Sequence, residues 1–237
     1  MARTCFVTAT DTNVGKTIVA ATIVAGLRAR GVMVVARKPV VTGVAASPPA
    51  GRPRDPQTLD GLPDHELLGA VSGERAEDVA VARYEPPVSP HLAAELAGAP
   101  LDVPQIVQSL RRDEARAEAL IVEGSGGLLV PLGQSWDIRR LARELGWPVV
   151  VVARCGLGTI NHTLLTLEAA RHDELDVRAV VLTPWPENPG TVERSNRDTI
   201  QRLGGIEVAT LPWLALVTPQ ALAGAAQTLS YDRWLSG

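Results

Sequence analysis

Residues 10–17 read Thr-Asp-Thr-Asn-Val-Gly-Lys-Thr, between the β-rich run "TCFVTA" and an apolar helical pattern. A strand, a tight turn with a glycine and a helix opening on lysine and threonine form an anion cradle. The N–H groups of Asn13, Val14 and Gly15 and the helix amino terminus converge on phosphate oxygens. Lys16 is expected to reach the β and γ phosphates of a nucleoside triphosphate, and the Thr17 hydroxyl to face Mg²⁺. Ala9 stands where such loops usually carry their leading glycine, and five residues rather than four separate it from Gly15.

Three other stretches carry groups suited to this chemistry. In "RKPVVTG", Lys38 is expected just past a strand and Thr42 in the following turn, a second cation for a reaction that brings negative charge to the γ phosphate. In "ALIVEGSGGLLVP", Glu123 closes an apolar strand, where a carboxylate can complete the shell of a hard divalent cation. In "RCGLGTINHTLLT", Gly156 and Gly158 precede a helix beginning near Thr159, whose exposed N–H groups suit a carboxylate or serve as an ordinary cap.

The elements that must hold these groups alternate along the chain. Strands are expected at "TCFVTA", "VMVVARKPV", "ALIVEG", "WPVVVVARC", "VRAVVLT" and "IEVATLPW". Helices are expected near 16–30, 64–72, 89–97, 103–117, 137–145, 159–172, 190–203 and 218–227. Continuous Val and Ile runs without polar alternation belong to parallel strands covered on both faces. The fold class is therefore α/β, a doubly wound, mostly parallel sheet of phosphate-loop NTPase type, with ligands beyond the carboxyl ends of the strands. Residues 44–63, rich in Pro, Gly and Ala, read as a long surface loop; 84–91 reads as a second, with Ser89 capping a helix that has Pro90 at its first position.

At 237 residues the chain suits one α/β domain spanning 1–237. A net charge of −3 and 3% aromatic residues supply neither a basic stripe nor stacking platforms, which argues against nucleic acid. Cys5 and Cys155 have no metal spacing and read as buried free thiols. The expected setting is cytoplasmic, with no leader pattern and no apolar run of about 18 residues.

Taken in order, "TDTNVGKT", "KPVVTG", "SPHLAAELAG", "VEGSGGLLVP", "LGTINHTLLT" and "LPWL" resemble the ATP-dependent dethiobiotin synthetase family over nearly the whole chain. The resemblance implies a Mg²⁺-dependent ligase of biotin biosynthesis that converts 7,8-diaminononanoate, CO₂ and ATP into dethiobiotin, ADP and phosphate. By the same resemblance, Thr12, Lys16 and Lys38 would surround the carbamate and the transferring phosphoryl group, and Thr42 would contact the diamine or carbamate. Thr17, Asp64 and Glu123 would hold Mg²⁺, with Asp64 preferred to Asp55 and Asp60 because it opens a helix. Gly158, Thr159, Ile160 and Asn161 would receive the substrate carboxylate across a homodimer interface. Pro184, Pro212, Trp213 and Leu214 would line the nucleoside end.

Two departures from the family pattern fall at that end. Pro184 replaces an asparagine that reads adenine, and Leu216 replaces a glutamate for the ribose hydroxyls, so relaxed base selectivity is expected. The rival readings are an amide-forming ligase of the cobyrinic-acid type, which normally continues into a glutamine-hydrolysing domain, and a partitioning ATPase, which carries an extra lysine early in its loop where this chain has Ala9, Thr10 and Asp11. A degenerate nucleotide binder without turnover is the third.

Overall fold

The computed structural model describes residues 2–44 and 58–235. Seven strands form one sheet: β1 (Arg3–Ala9), β2 (Val34–Thr42), β3 (Ala80–Tyr84), β4 (Ala119–Glu123), β5 (Val149–Ala153), β6 (Val177–Trp185) and β7 (Glu207–Pro212). Their spatial order is β3-β2-β4-β1-β5-β6-β7, and every pairing is parallel. The crossovers are helical: α1 (Lys16–Ala29), α2 (Asp64–Ser72), α3 (Ala76–Val79), α4 (Pro90–Leu96), α5 (Val103–Glu114), α6 (Ile138–Leu145), α7 (Thr159–His172), α8 (Thr191–Gly204) and α9 (Pro219–Ala226).

The two-residue period of β1 splits the core. Cys5, Val7 and Ala9 face a layer built on α1, α2 and α9, which the Tyr231–Leu235 tail completes. Phe6 faces the opposite layer, with residues of α4 to α8. Both faces of the central strands are therefore dry, which is why β4 and β5 read as unbroken apolar runs. Among the described residues no helix is long and apolar enough to cross a membrane.

The sheet differs from the sequence expectation in three places. Edge strand β3 and the short α3 before it carry no apolar run, because "AVARY" buries only its two ends. Strand β2 continues through Thr42, so Lys38 lies inside it rather than beyond it, and Thr42 is its last residue rather than part of a turn. Ser89 occupies the N-cap position of α4 with Pro90 next, but its hydroxyl meets His91 Nδ1 at 3.1 Å and caps no backbone N–H. Most of the loop expected at 44–63 lies outside the described residues. Its end is ordered against the core through Leu59 and Leu62.

Candidate active site

The carboxyl ends of β1, β2, β4 and β6 open onto one cavity of about 960 Å³. Its floor is the turn between β1 and α1. Ala9 is fully buried, pairs with Val152 and accepts a hydrogen bond from Leu128 N at 3.1 Å. It is still regular strand, so no leading glycine is required there. The departure comes later: Asn13 sits at φ 58° and Gly15 at φ 94°. Asn tolerates the left-handed region, and Gly15 must stay small because a Cβ there would meet Thr183 Cγ2 at 2.7 Å.

Lys16 opens α1, is 6% exposed, and donates to the Asp11 carbonyl at 2.9 Å. Burial, reinforced by the neighbouring Lys38 ammonium, lowers its pKa to about 8. Asp11 is itself fixed. One carboxylate oxygen accepts the Thr12 N–H at 2.7 Å and the other meets Arg154 Nη2 at 2.6 Å.

Lys38, inside β2 rather than just past it, is 4% exposed. Its Nζ donates to Glu123 Oε1 at 2.5 Å and to Asp64 Oδ2 at 2.7 Å. Burial pulls the ammonium down, but these two carboxylates more than offset it and hold its pKa above the usual lysine value. Its neighbour Arg37 is buried the same way, paired with Glu74 at 2.6 Å and Asp113 at 2.7 Å. Glu74 also accepts the Ala36 N–H at 2.8 Å, just before β3 begins pairing at Lys38.

Asp64, the first residue of α2, and Glu123, the last of β4, meet over Thr17. The Thr17 hydroxyl lies 2.9 Å from Asp64 Oδ1 and 3.0 Å from Glu123 Oε1. A hydroxyl has one proton and cannot donate fully to both. Glu123 is fully buried, and its Oε2 has no hydrogen-bond partner among the described residues. Two carboxylates, a hydroxyl oxygen and an orphaned lone pair make a hard-oxygen set suited to a small divalent cation. Asp55 lies outside the described residues. Asp60 is elsewhere in the cavity, accepting the Val217 N–H at 3.2 Å.

The other walls divide by chemistry. Thr42, Ser89, Pro90, Ser125 and Val130 line one end; Thr183, Pro184, Pro212, Trp213, Leu214, Ala215 and Val217 line the other. Thr12, Asn13 and Val14 lie on the loop between them. Leu216 is 58% exposed and is no part of the lining. Ser125, whose hydroxyl donates to the Val40 carbonyl at 2.6 Å, was not singled out by sequence reasoning. The Ser-Gly-Gly turn was its available signal.

The α7 turn stands apart. Gly158 is at φ 90°, Thr159 is 1% exposed, and Asn161 is exposed, with Ile160 between them half-buried. None of the four lines the cavity of this chain. Both thiols are buried as expected.

A family model described as an AAA domain matches residues 3–221. The chain is 36% identical over 233 residues to the ATP-dependent dethiobiotin synthetase BioD of a Mycobacterium species (strain JLS), covering 98% of this chain and 97% of that one. It is 41% identical to the BioD of Mycobacterium marinum, covering 93% and 87%. With the BioD of Rhodococcus jostii the identity is 37%, covering 97% and 95%. Among solved structures, a ParA family ATPase from Chlorobium tepidum aligns at TM-score 0.54 and 13% identity, covering 96% of this chain and 90% of that one, a likeness of fold.

Proposed function

The chain belongs to the ATP-dependent dethiobiotin synthetase family, and from that premise we propose that it closes the ureido ring of dethiobiotin from 7,8-diaminononanoate, CO₂ and ATP. The observation that carries this reading is the gathering of Lys16, Thr17, Lys38, Asp64 and Glu123 at one end of a phosphate loop. In the proposed role such a set positions and neutralises, and the attacking groups come from the substrate.

In the proposed course one amine of the substrate takes up CO₂ as a carbamate. A carbamate oxygen then attacks the γ phosphorus, ADP departs, and a carbamic-phosphoric anhydride forms. The second amine attacks the carbonyl carbon, expels phosphate and closes the ring. Lys16 leaves the Asp11 carbonyl for the β and γ phosphate oxygens, and Lys38, held as an ammonium, faces the carbamate and the transferring group. Thr12 adds a hydroxyl at the loop tip, and Thr42 bounds the diamine end.

Thr17, Asp64 and Glu123 would hold Mg²⁺, which would neutralise charge on the triphosphate. Gly158, Thr159, Ile160 and Asn161 would serve the substrate carboxylate of a second copy in a homodimer, which accounts for their distance from this chain's own cavity. The reaction needs no membrane and no nucleic acid, and a cytoplasmic setting suits it.

Purified protein incubated with 7,8-diaminononanoate, bicarbonate, Mg²⁺ and ATP should release phosphate and dethiobiotin one for one, read by mass spectrometry. Phosphate without dethiobiotin would reassign it as an ATPase with another acceptor. Neither product would leave a nucleotide binder without turnover.

A further inference from the structure

Asp60 has no place in the cation set, and its surroundings suggest another task. The segment before α2 is fastened to the turn after β7 by two hydrogen bonds: Leu59 N donates to the Val217 carbonyl at 2.7 Å, and Val217 N donates to Asp60 Oδ2 at 3.2 Å. This backbone N–H fixes which way the carboxylate faces. Its second oxygen, Oδ1, has no protein partner among the described residues, while the residue is exposed and lines the cavity. A Cβ on the following residue, Gly61, would meet no atom of the described residues within 4 Å, so there is open space beside Asp60.

The position in the cavity defines what that oxygen can meet. Through Val217, Asp60 is fastened to the turn that carries Trp213, Leu214 and Ala215, which supply apolar surface and backbone for a flat ring, while Asp64 on the same short segment meets Thr17 of the phosphate loop, and all of them line one cavity. Between the phosphates and the base of a nucleotide lies a sugar bearing two vicinal hydroxyls. A carboxylate oxygen with free lone pairs is the natural acceptor for such donors, and charge-assisted bonds of that kind are among the stronger ones.

We propose that Asp60 is the ribose-reading residue of this site, accepting hydrogen bonds from the 2′ and 3′ hydroxyls of the bound nucleoside triphosphate. This rests on the phosphate loop holding a nucleotide, as in the proposed function. It makes the sugar a determinant of binding in a cavity whose base end carries no side-chain amide among the described residues. It also ties nucleotide and metal ends together, since Asp60 and Asp64 lie on one short segment that a bound ribose would hold in place.

The test needs no turnover. Equilibrium binding of Mg-ATP and of Mg-2′,3′-dideoxyATP is measured by calorimetry without the diamine, for the unaltered protein and for Asp60→Asn. Asparagine keeps an oxygen for the Val217 N–H but presents an amide in place of Oδ1. The unaltered protein should bind ATP about tenfold or more tightly than the dideoxy nucleotide. Asp60→Asn should lose that preference through weaker ATP binding alone, its affinity for the dideoxy nucleotide unchanged. Equal affinities in the unaltered protein, an unchanged preference in the variant, or equal loss for both nucleotides would overturn the assignment. A protein that shows the hydroxyl dependence and yet makes no dethiobiotin would defeat the synthetase reading and leave Asp60 as the ribose reader.

Discussion

The Lys38 ammonium lies 2.5 Å from Glu123 Oε1, so a cation in the middle of a strand is held by a carboxylate at the end of the adjacent strand, both shielded from water. Neither charge could be buried alone. The pair is thus a structural obligation as well as a candidate piece of chemistry, and the two roles can be separated.

Lys38→Met should abolish dethiobiotin formation and also destabilise the fold by about 3 kcal/mol, because it leaves Glu123 buried without its cation. The double variant Lys38→Met/Glu123→Gln should recover much of that stability and none of the activity. Urea denaturation and product assays on the three proteins measure both effects. A single variant as stable as the parent would show that Glu123, whose pKa burial already raises, takes up a proton when its cation is removed.

Lys16 contrasts with Lys38. Among the described residues its side chain has one hydrogen bond, to the Asp11 carbonyl, so little of the fold depends on it. Lys16→Ala should cut turnover by about 10²-fold or more while moving the denaturation midpoint little. Activity close to that of the parent would remove Lys16 from the phosphoryl-transfer machinery.

At the base end the lining among the described residues is Thr183, Pro184, Pro212, Trp213, Leu214, Ala215 and Val217, with no side-chain amide or carboxylate to pair two-pronged with a base edge, and Trp213 is 70% exposed. A flat apolar platform accepts any base. ATP, CTP and GTP should therefore support the reaction with kcat/KM values within about tenfold of one another. A preference for ATP of about 10³-fold would show a base readout this lining does not contain, since that ratio requires several kcal/mol.

The thiols should be inert. Burial raises Cys5 to about 12 and Cys155 to about 11. Cys155 also donates to the Pro184 carbonyl at 3.1 Å, beside the base end. At pH 8 neither should react with Ellman's reagent over minutes in the folded protein, and both should react after unfolding. Rapid modification of one thiol in the native protein would mean that its strand end opens.

What the sequence displayed and what it concealed follow from where each residue finds its partner. The phosphate loop was legible because strand, turn, Gly15, Lys16 and Thr17 are contiguous, and β4 and β5 because both their faces are apolar. The edge strand β3 escaped because it alternates without an apolar run and lies next to proline-rich sequence. The middle of β2 was misread for a sharper reason. Arg37 and Lys38 look like the end of a strand, and they are buried only because Glu74, Asp113, Asp64 and Glu123 come to them from elsewhere. Asp60 was weighed against Asp64 as a metal ligand and set aside because Asp64 opens a helix; that Val217 holds the Asp60 carboxylate is visible only once the segment before α2 meets the turn after β7.

The position of β1 in the sheet has a consequence for how the chain assembles. Both its neighbours, β4 and β5, begin at residue 119 or later. During synthesis the first strand must wait on the order of ten seconds for an edge to pair with. Until β4 emerges, Cys5, Phe6 and Val7 have no sheet to join. The phosphate loop, though written in the first seventeen residues, is among the late things to settle, and its maturation should track the slow, long-range pairings of the central strands rather than the local folding of α1.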